Sequence, residues 1–215
     1  MPYFDDILFI HIPKTGGTSL EKYFSKKYNI PLNNLCLYDY PGRRFNIRNQ
    51  KNRVYSKQIK NLGVSFQHFT LQNIVDNQKE LNIKINKIIT IVRNPYNKVV
   101  SGLFHNKLIK PNSTPEETYT ALNNYLKMDC DNHNKPQYTF LTLNGTIYPN
   151  LIILKTETLN LDLTKHEIFN FNFHELKNKN ANVKEYVYYL NNESINLINK
   201  IYDLDFLYFG YPKLN

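Results

Sequence analysis

The 215 residues contain no tryptophan, only two cysteines and no long hydrophobic run. Cys36 and Cys130 allow at most one disulfide, which disfavours a disulfide-stapled secreted scaffold and a cysteine-based zinc site. No apolar stretch approaches the roughly 18 residues of a membrane-spanning helix. No basic segment precedes the first apolar run, Ile7 to Ile12, and this run is too short for a signal peptide. We therefore expect a cytoplasmic protein with no membrane span.

Acidic residues are also outnumbered, because 27 Lys and Arg face 18 Asp and Glu and leave a formal net charge of +9. Such an excess favours an anionic partner: a nucleic acid, a nucleotide, a polyanion or an anionic membrane surface. Charge alone does not choose among them. The aromatic content, with 17 Tyr and 13 Phe, is too high for a disordered chain, and the length predicts one domain over residues 1–215.

Short apolar runs alternate with helical patterns along the chain. The apolar runs predict strands at Asp6–Ile12, Val64–Phe69, Lys87–Arg93 and Leu151–Leu154. Apolar residues at helical spacing predict a helix after Gly17 (Leu20, Tyr23, Phe24, Tyr28), another over Leu71–Leu81 and a last one over Asn192–Leu204. Helix start signals predict two more, one from Asn94-Pro95 and one from Ser113 to about Met128. Strands that alternate with helices predict an α/β fold with a mainly parallel central sheet.

The loop after the first predicted strand has the residue types of an anion site: Pro13-Lys14-Thr15-Gly16-Gly17-Thr18-Ser19. Glycines let consecutive N–H groups face one anion, and the following helix adds the partial positive charge of its N-terminus. Lys14 adds a full charge, and the hydroxyls of Thr18 and Ser19 can donate to the anion or cap the helix. Lys14 precedes the glycines, which departs from the Gly-x4-Gly-Lys-Ser/Thr order of an ATP or GTP loop. The alternative is an ordinary turn with a solvated lysine.

A second candidate anchor is Arg93, which ends the Lys87–Arg93 strand, with Ser101 eight residues further on the next predicted helix. A guanidinium can bind two phosphate oxygens at once, and open α/β sheets bind ligands at the carboxyl ends of strands. No apolar strand ends in the aspartate of a Walker B magnesium site, so no metal is predicted. The alternatives are a structural ion pair for Arg93 and a small helix residue for Ser101.

Together these two motifs resemble those of sulfotransferases that use 3′-phosphoadenosine 5′-phosphosulfate (PAPS), closest to the carbohydrate enzymes of the heparan and chondroitin type. His11 to Ser19 is similar to their 5′-phosphosulfate loop, and Ile91 to Gly102 to their 3′-phosphate motif. The resemblance implies a P-loop-like three-layer sandwich and metal-free transfer of a sulfuryl group from PAPS to a hydroxyl acceptor. It implies cofactor contacts from Lys14, Thr15, Gly16, Gly17, Thr18, Ser19, Arg93 and Ser101.

Weaker similarities to the same family extend over most of the chain and imply core and scaffold segments. They lie at Pro136-Gln137 with Phe140-Leu141, at Leu154 to Glu157 with Leu159, and at Ile198 to Phe206 with Phe209-Gly210-Tyr211.

A hydroxyl acceptor must lose a proton, and histidine is the usual base near neutral pH. His68 is the first candidate, because it ends the second predicted strand and the resembling heparan-type enzymes carry a catalytic histidine in a comparable segment. Lys14 is expected to stabilise charge on the leaving group. His11 is expected to pack or to support the loop. His105 is the third candidate for the base, because it lies four residues beyond Ser101 and so on the same side of the predicted helix.

A basic cluster precedes His68 and suits an acidic glycan acceptor or a merely solvated face (Arg43, Arg44, Arg48, Lys51, Arg53, Lys57, Lys60). Two other functions remain open from the residues. One is a magnesium-dependent nucleotide phosphotransferase with a variant loop, and the other is a non-enzymatic polyanion binder. A nucleic-acid partner is not expected, because charge alone does not explain two phosphate motifs at two strand ends.

Overall fold

The computed structural model describes residues 3–4, 7–29, 62, 64–81, 85–166 and 185–215. The basic cluster between Arg43 and Lys60 lies outside these residues. The chain divides into two compact units, which we describe separately: residues 1–91 with 139–153, and residues 92–138 with 154–215. The single domain over 1–215 stays a prediction.

A four-stranded sheet with most of its residues in the first unit has the order β1-β2-β3-β6. Its strands are β1 (Tyr3–Phe4), β2 (Ile7–Ile10), β3 (Lys87–Val92) and β6 (Leu151–Lys155). β1 is antiparallel to β2, whereas β2 and β3 run parallel with Ile10 opposite Thr90. The Thr90 hydroxyl reinforces this pair by donating to the Ile10 carbonyl at 2.9 Å. The predicted strands at β2, β3 and β6 and the α/β class are confirmed.

A small antiparallel hairpin in the same unit joins β4 (Thr142–Leu143) to β5 (Thr146–Ile147). Asn144 and Gly145 form its turn with φ of 50° and 80°. Two consecutive left-handed residues favour the Asn-Gly pair that stands there.

Helices of the first unit follow the sequence only in part. They are α1 (Gly17–Tyr28), a 3₁₀ helix (Phe66–His68), α2 (Leu71–Asp76) and α3 (Gln78–Leu81). α1 begins at Gly17, so Thr18 and Ser19 lie in its first turn and not ahead of it as caps. The helical pattern predicted over Leu71–Leu81 is confirmed except at Asn77, where the segment divides into α2 and α3. The Asn77 side chain donates to the Asn73 carbonyl at 2.8 Å where α2 ends.

The strand predicted at Val64–Phe69 is also wrong. Phe66 and Phe69 are both buried, and their ring centroids lie only 5.0 Å apart. A strand would send side chains three residues apart to opposite faces, whereas a 3₁₀ turn brings them to one side. The turn is closed by the His68 N–H, which donates to the Ser65 carbonyl at 3.0 Å.

The second unit is mainly helical. It contains α4 (Pro95–His105), α5 (Pro115–Lys127), α6 (Leu159–Lys165), α7 (Asn192–Ile201), α8 (Asp203–Phe209) and 3₁₀ helices at Thr156–Thr158 and Tyr186–Tyr189. Asn94 and Thr114 cap α4 and α5, as their sequence signals predict. The helix predicted over Asn192–Leu204 is two helices that meet at Tyr202, whose hydroxyl donates to the Asn134 carbonyl at 2.7 Å.

The core of this second unit is formed by apolar and tyrosine side chains of α4, α5, α7 and α8, among them Val100, Leu103, Leu122, Ile198 and Phe206. Among the helices described, none has both the length and the apolar character needed to cross a bilayer.

Candidate functional site

The 13–17 loop, which leads from β2 into the first residue of α1, has two residues in the left-handed region: Lys14 at φ 69° and Gly16 at φ 92°. Left-handed residues alternating with right-handed ones turn successive N–H groups toward one concave side, which is how backbone nests hold anions. The Thr15 hydroxyl donates to the Ile12 carbonyl at 2.8 Å and anchors the loop to the end of the strand. A lysine at positive φ costs about 1–3 kcal/mol, and such strain is typical of functional loops.

Gly17, the first residue of α1, packs directly on the imidazole of His11. A Cβ at Gly17 would lie 2.8 Å from both Cδ2 and Nε2 of that ring. Real Cβ atoms do not approach so closely, so only glycine fits here while His11 keeps its place. His11 is therefore the floor of the loop, as the expectation of a supporting role implied.

A buried polar cluster fixes the His11 ring, and its members are His11, Glu21 and Gln67. His11 Nδ1 donates to Glu21 Oε1 at 2.5 Å, and Gln67 Nε2 donates to Glu21 Oε2 at 2.8 Å. Since a carboxylate only accepts, the hydrogen on Nδ1 is defined and Nε2 is the nitrogen beside Gly17. Burial alone would raise the pKa of Glu21, but the His11 charge and hydrogen bonds from His11 and Gln67 outweigh it and lower that pKa.

His68 lies beside this cluster, on the 3₁₀ helix Phe66–His68. Its ring meets the His11 ring edge-on with centroids 5.3 Å apart, and its Nδ1 is 3.3 Å from the Ser65 hydroxyl. The side chain is buried. The structure thus brings the predicted base next to the support of the glycine loop, although no strand delivers it there.

Arg93, in the second unit, directly follows β3, and its main chain is held by the Gln137 side chain. The Arg93 N–H donates to Gln137 Oε1 and Gln137 Nε2 donates to the Arg93 carbonyl, both at 2.8 Å. On either side, the Thr156 hydroxyl donates to the Val92 carbonyl at 3.1 Å and the Asn94 N–H donates to Glu157 Oε1 at 2.8 Å. Four consecutive backbone groups are therefore bound by side chains.

Two further contacts hold these side chains. Asp205 on α8 accepts from the N–H groups of Gln137 and Tyr138 at 2.8 Å and from Gln137 Nε2 at 3.3 Å. The Tyr211 hydroxyl donates to Glu157 Oε2 at 2.8 Å. Burial raises the pKa of Asp205 despite these hydrogen bonds, and burial and Glu157 raise the pKa of Tyr211, so Tyr211 remains a donor.

The guanidinium of Arg93 lies over the ring of Tyr186, with 5.1 Å between Cζ and the ring centroid. A cation over an aromatic face is stabilised by the ring quadrupole, and guanidinium retains its edge for hydrogen bonding. Arg93 is thus oriented by its main chain and by its side chain.

Ser101 and His105 lie on α4. Ser101 is half-buried, while His105 is exposed and stacks on His133 with centroids 4.8 Å apart. Lys98 of the same helix is buried, and its Nζ donates to the carbonyls of His133 and Lys135, both at 2.9 Å. Burial lowers the pKa of Lys98 to about 8, although the Asp205 charge opposes this shift. The helix therefore pins the segment that precedes Gln137.

Sequence reasoning missed the supporting residues Glu21, Gln67 and Asp205. One signal for Glu21 was present: it lies between Leu20 and Phe24, on the apolar side of a helix whose other charged residues are lysines. An acidic residue there must be paired to be tolerated. No comparable pattern marks Gln67 or Asp205, whose partners lie 46 and 68 residues away along the chain.

Comparison with known proteins supplies the remaining observation. A family model described as "Sulfotransferase family" matches residues 3–212 of this chain, nearly its full length. The match agrees with the P-loop-like α/β fold class expected from the motifs. No curated protein and no solved structure matches the chain.

Proposed function

The chain belongs to the sulfotransferase family, and from this premise we propose that it transfers a sulfuryl group from PAPS to a hydroxyl group of a carbohydrate. The product nucleotide is adenosine 3′,5′-bisphosphate (PAP). The observation that carries the proposal is the 13–17 loop. In it Lys14, at a strained positive φ, and Gly16 precede the N-terminus of α1, and Gly17 packs on the His11 ring. That arrangement suits an anionic group with several oxygens.

In the proposed roles, Lys14 and the N–H groups of residues 15–18 bind the 5′-phosphosulfate, together with the hydroxyls of Thr18 and Ser19. The Ser19 N–H is not included, because it donates to the Gly16 carbonyl at 3.0 Å. The Thr15 hydroxyl is excluded from this contact, because it is buried and already donates to the Ile12 carbonyl. Thr15 therefore contributes its backbone N–H. Arg93 and Ser101 are proposed to bind the 3′-phosphate, and the side-chain bonds around the Arg93 main chain support a fixed anion contact there.

In the proposed reaction the acceptor hydroxyl oxygen attacks sulfur as the bond between sulfur and the bridging phosphate oxygen breaks. The hydroxyl proton passes to His68, and the electron pair of the broken bond stays on the 5′-phosphate of PAP. His68 Nδ1 lies near the Ser65 hydroxyl, so Nε2 is the nitrogen proposed to take the proton. Lys14 and the loop N–H groups stabilise the charge that grows on the leaving phosphate.

The test is transfer of label from radioactive PAPS to a panel of glycans, small hydroxyl metabolites and peptides. We expect His68→Ala to lower turnover about a hundredfold or more while PAP affinity is retained, since general base catalysis contributes about 10²–10⁴. His105→Ala is the matched control, because His105 is exposed and stacks on His133. Turnover of His68→Ala equal to that of the wild type would exclude His68 as the base.

A further inference from the structure

We infer that Gln137 is a positioning residue for the anion contact of Arg93, an inference that rests on the proposed function. Gln137 does not touch the nucleotide in this account. It acts by fixing the peptide units on both sides of the Arg93 Cα atom. Loss of Gln137 should therefore weaken nucleotide binding only through Arg93.

The Gln137 side chain matches the two backbone groups of Arg93 that it binds. Gln137 Oε1 accepts the Arg93 N–H and Gln137 Nε2 donates to the Arg93 carbonyl, each at 2.8 Å. Only a primary amide offers a donor and two acceptor lone pairs side by side in one plane. Gln137 is fully buried, so water does not replace either bond.

The Gln137 amide has one orientation, which Asp205 determines. The Asp205 carboxylate is an acceptor only, and it lies 3.3 Å from Gln137 Nε2 and 2.8 Å from the Gln137 N–H. A flipped amide would place Oε1 against this carboxylate and Nε2 against the Arg93 N–H. Asp205 therefore selects the orientation that serves Arg93.

Side chains, and not a neighbouring strand, fix the position of the Arg93 main chain. Beyond Val92 the strand ends, and no β-ladder holds Arg93. The side chains of Thr156, Gln137 and Glu157 instead satisfy the backbone groups from the Val92 carbonyl to the Asn94 N–H. A binding contact needs placement within about 0.5 Å, and supporting residues supply it. Gln137 makes two of these four bonds.

The test is a double-mutant cycle on PAP affinity, measured by calorimetry with the full chain. We expect Gln137→Met to weaken PAP binding about tenfold, since Arg93 then loses the placement that its contact with the anion needs. In an Arg93→Ala background it should weaken binding no further, whereas in a Lys14→Ala background the tenfold loss should persist. A general loss of structure would instead act equally in both backgrounds.

The matched control is Gln72→Met, because Gln72 also accepts a backbone N–H through its amide, that of Asn144 at 2.8 Å, within the other unit. It should leave PAP affinity unchanged. Should Gln137→Met not fold, Gln137→Asn keeps a neutral amide but shortens its reach by one methylene, and the same cycle applies. A wild type that does not bind PAP would refute the proposed function. A wild type that binds PAP with the same Gln137 effect in both backgrounds would overturn this inference alone.

Discussion

Replacement of Gly17 by alanine tests the packing of the glycine loop on His11. The new Cβ would lie 2.8 Å from Cδ2 and Nε2 of the ring. The ring has little freedom to retreat, because its Nδ1 is bonded to the buried Glu21 at 2.5 Å and its other side meets His68. Overpacking of this kind costs about 1–3 kcal/mol. Alanine also favours helix over glycine by about 0.5–1 kcal/mol, which offsets part of that cost.

The assay is urea unfolding followed by circular dichroism, with thermal unfolding beside it. A chain of this size loses about 2–4 °C in Tm for each kcal/mol. A double-mutant cycle combines Gly17→Ala with His11→Ala. In the His11→Ala background the ring that the new Cβ would clash with is absent, so Gly17→Ala should no longer lower the free energy of unfolding.

Gly16→Ala is the matched control for this cycle. A Cβ there meets nothing within 4 Å, but Gly16 has φ of 92°. Its cost, about 1–2 kcal/mol of backbone strain, should be the same with and without His11. If Gly17→Ala destabilised the protein equally in both backgrounds, the claim that His11 forms the floor of the loop would be refuted.

Three further predictions concern buried polar groups. The pKa of Glu21 is lowered in the folded state, so its contribution to stability is present above the unfolded pKa near 4.5 and is lost as pH falls through the folded value. Glu21→Gln should therefore flatten the decline of the unfolding free energy at acid pH. An unchanged decline would contradict the pairing of Glu21 with His11. The pKa of Lys98 is lowered to about 8 from 10.5, so the unfolded chain binds more protons than the folded chain between these pH values. The free energy of unfolding should therefore rise with pH in this range. Urea titrations at pH 8 and 9.5 should show this rise in the wild type and a smaller rise in Lys98→Met. The buried Tyr125 hydroxyl has no hydrogen-bond partner among the described residues, so Tyr125→Phe should unfold at the same or higher urea concentration, and a loss above about 1 kcal/mol would reveal a missing partner.

Strands β2, β3 and β6 and the turn that leads from β2 into α1 could be predicted from the sequence because their signals are local. The β-branched run before Arg93 forms β3, and Asn94-Pro95 starts α4 where predicted. The strand predicted at Val64–Phe69 was wrong because an apolar run of six residues is compatible with a strand and with a helical turn alike. Its two phenylalanines are three residues apart, and tertiary packing placed both rings on one side.

The support of the anchors could not be predicted, because it depends on pairs distant in the sequence. Gln137 and Asp205 are 68 residues apart, and Asn94 and Glu157 are 63 apart. Single residues of these types carry no periodic signal. The segments that resembled a known family as scaffold are the ones that supply Gln137, Glu157, Asp205 and Tyr211 to the Arg93 region.

The central claim is that the positive charge of this chain serves a bisphosphate nucleotide. The most direct measurement compares thermal unfolding of the wild type with PAP, with ATP and Mg²⁺, and with short duplex DNA. A ligand at a hundred times its Kd adds about 2.7 kcal/mol, which raises Tm by about 5–10 °C for a chain of this size. We predict that PAP alone produces this shift. Equal stabilisation by ATP and Mg²⁺ or by DNA, or no shift with PAP, would contradict the account.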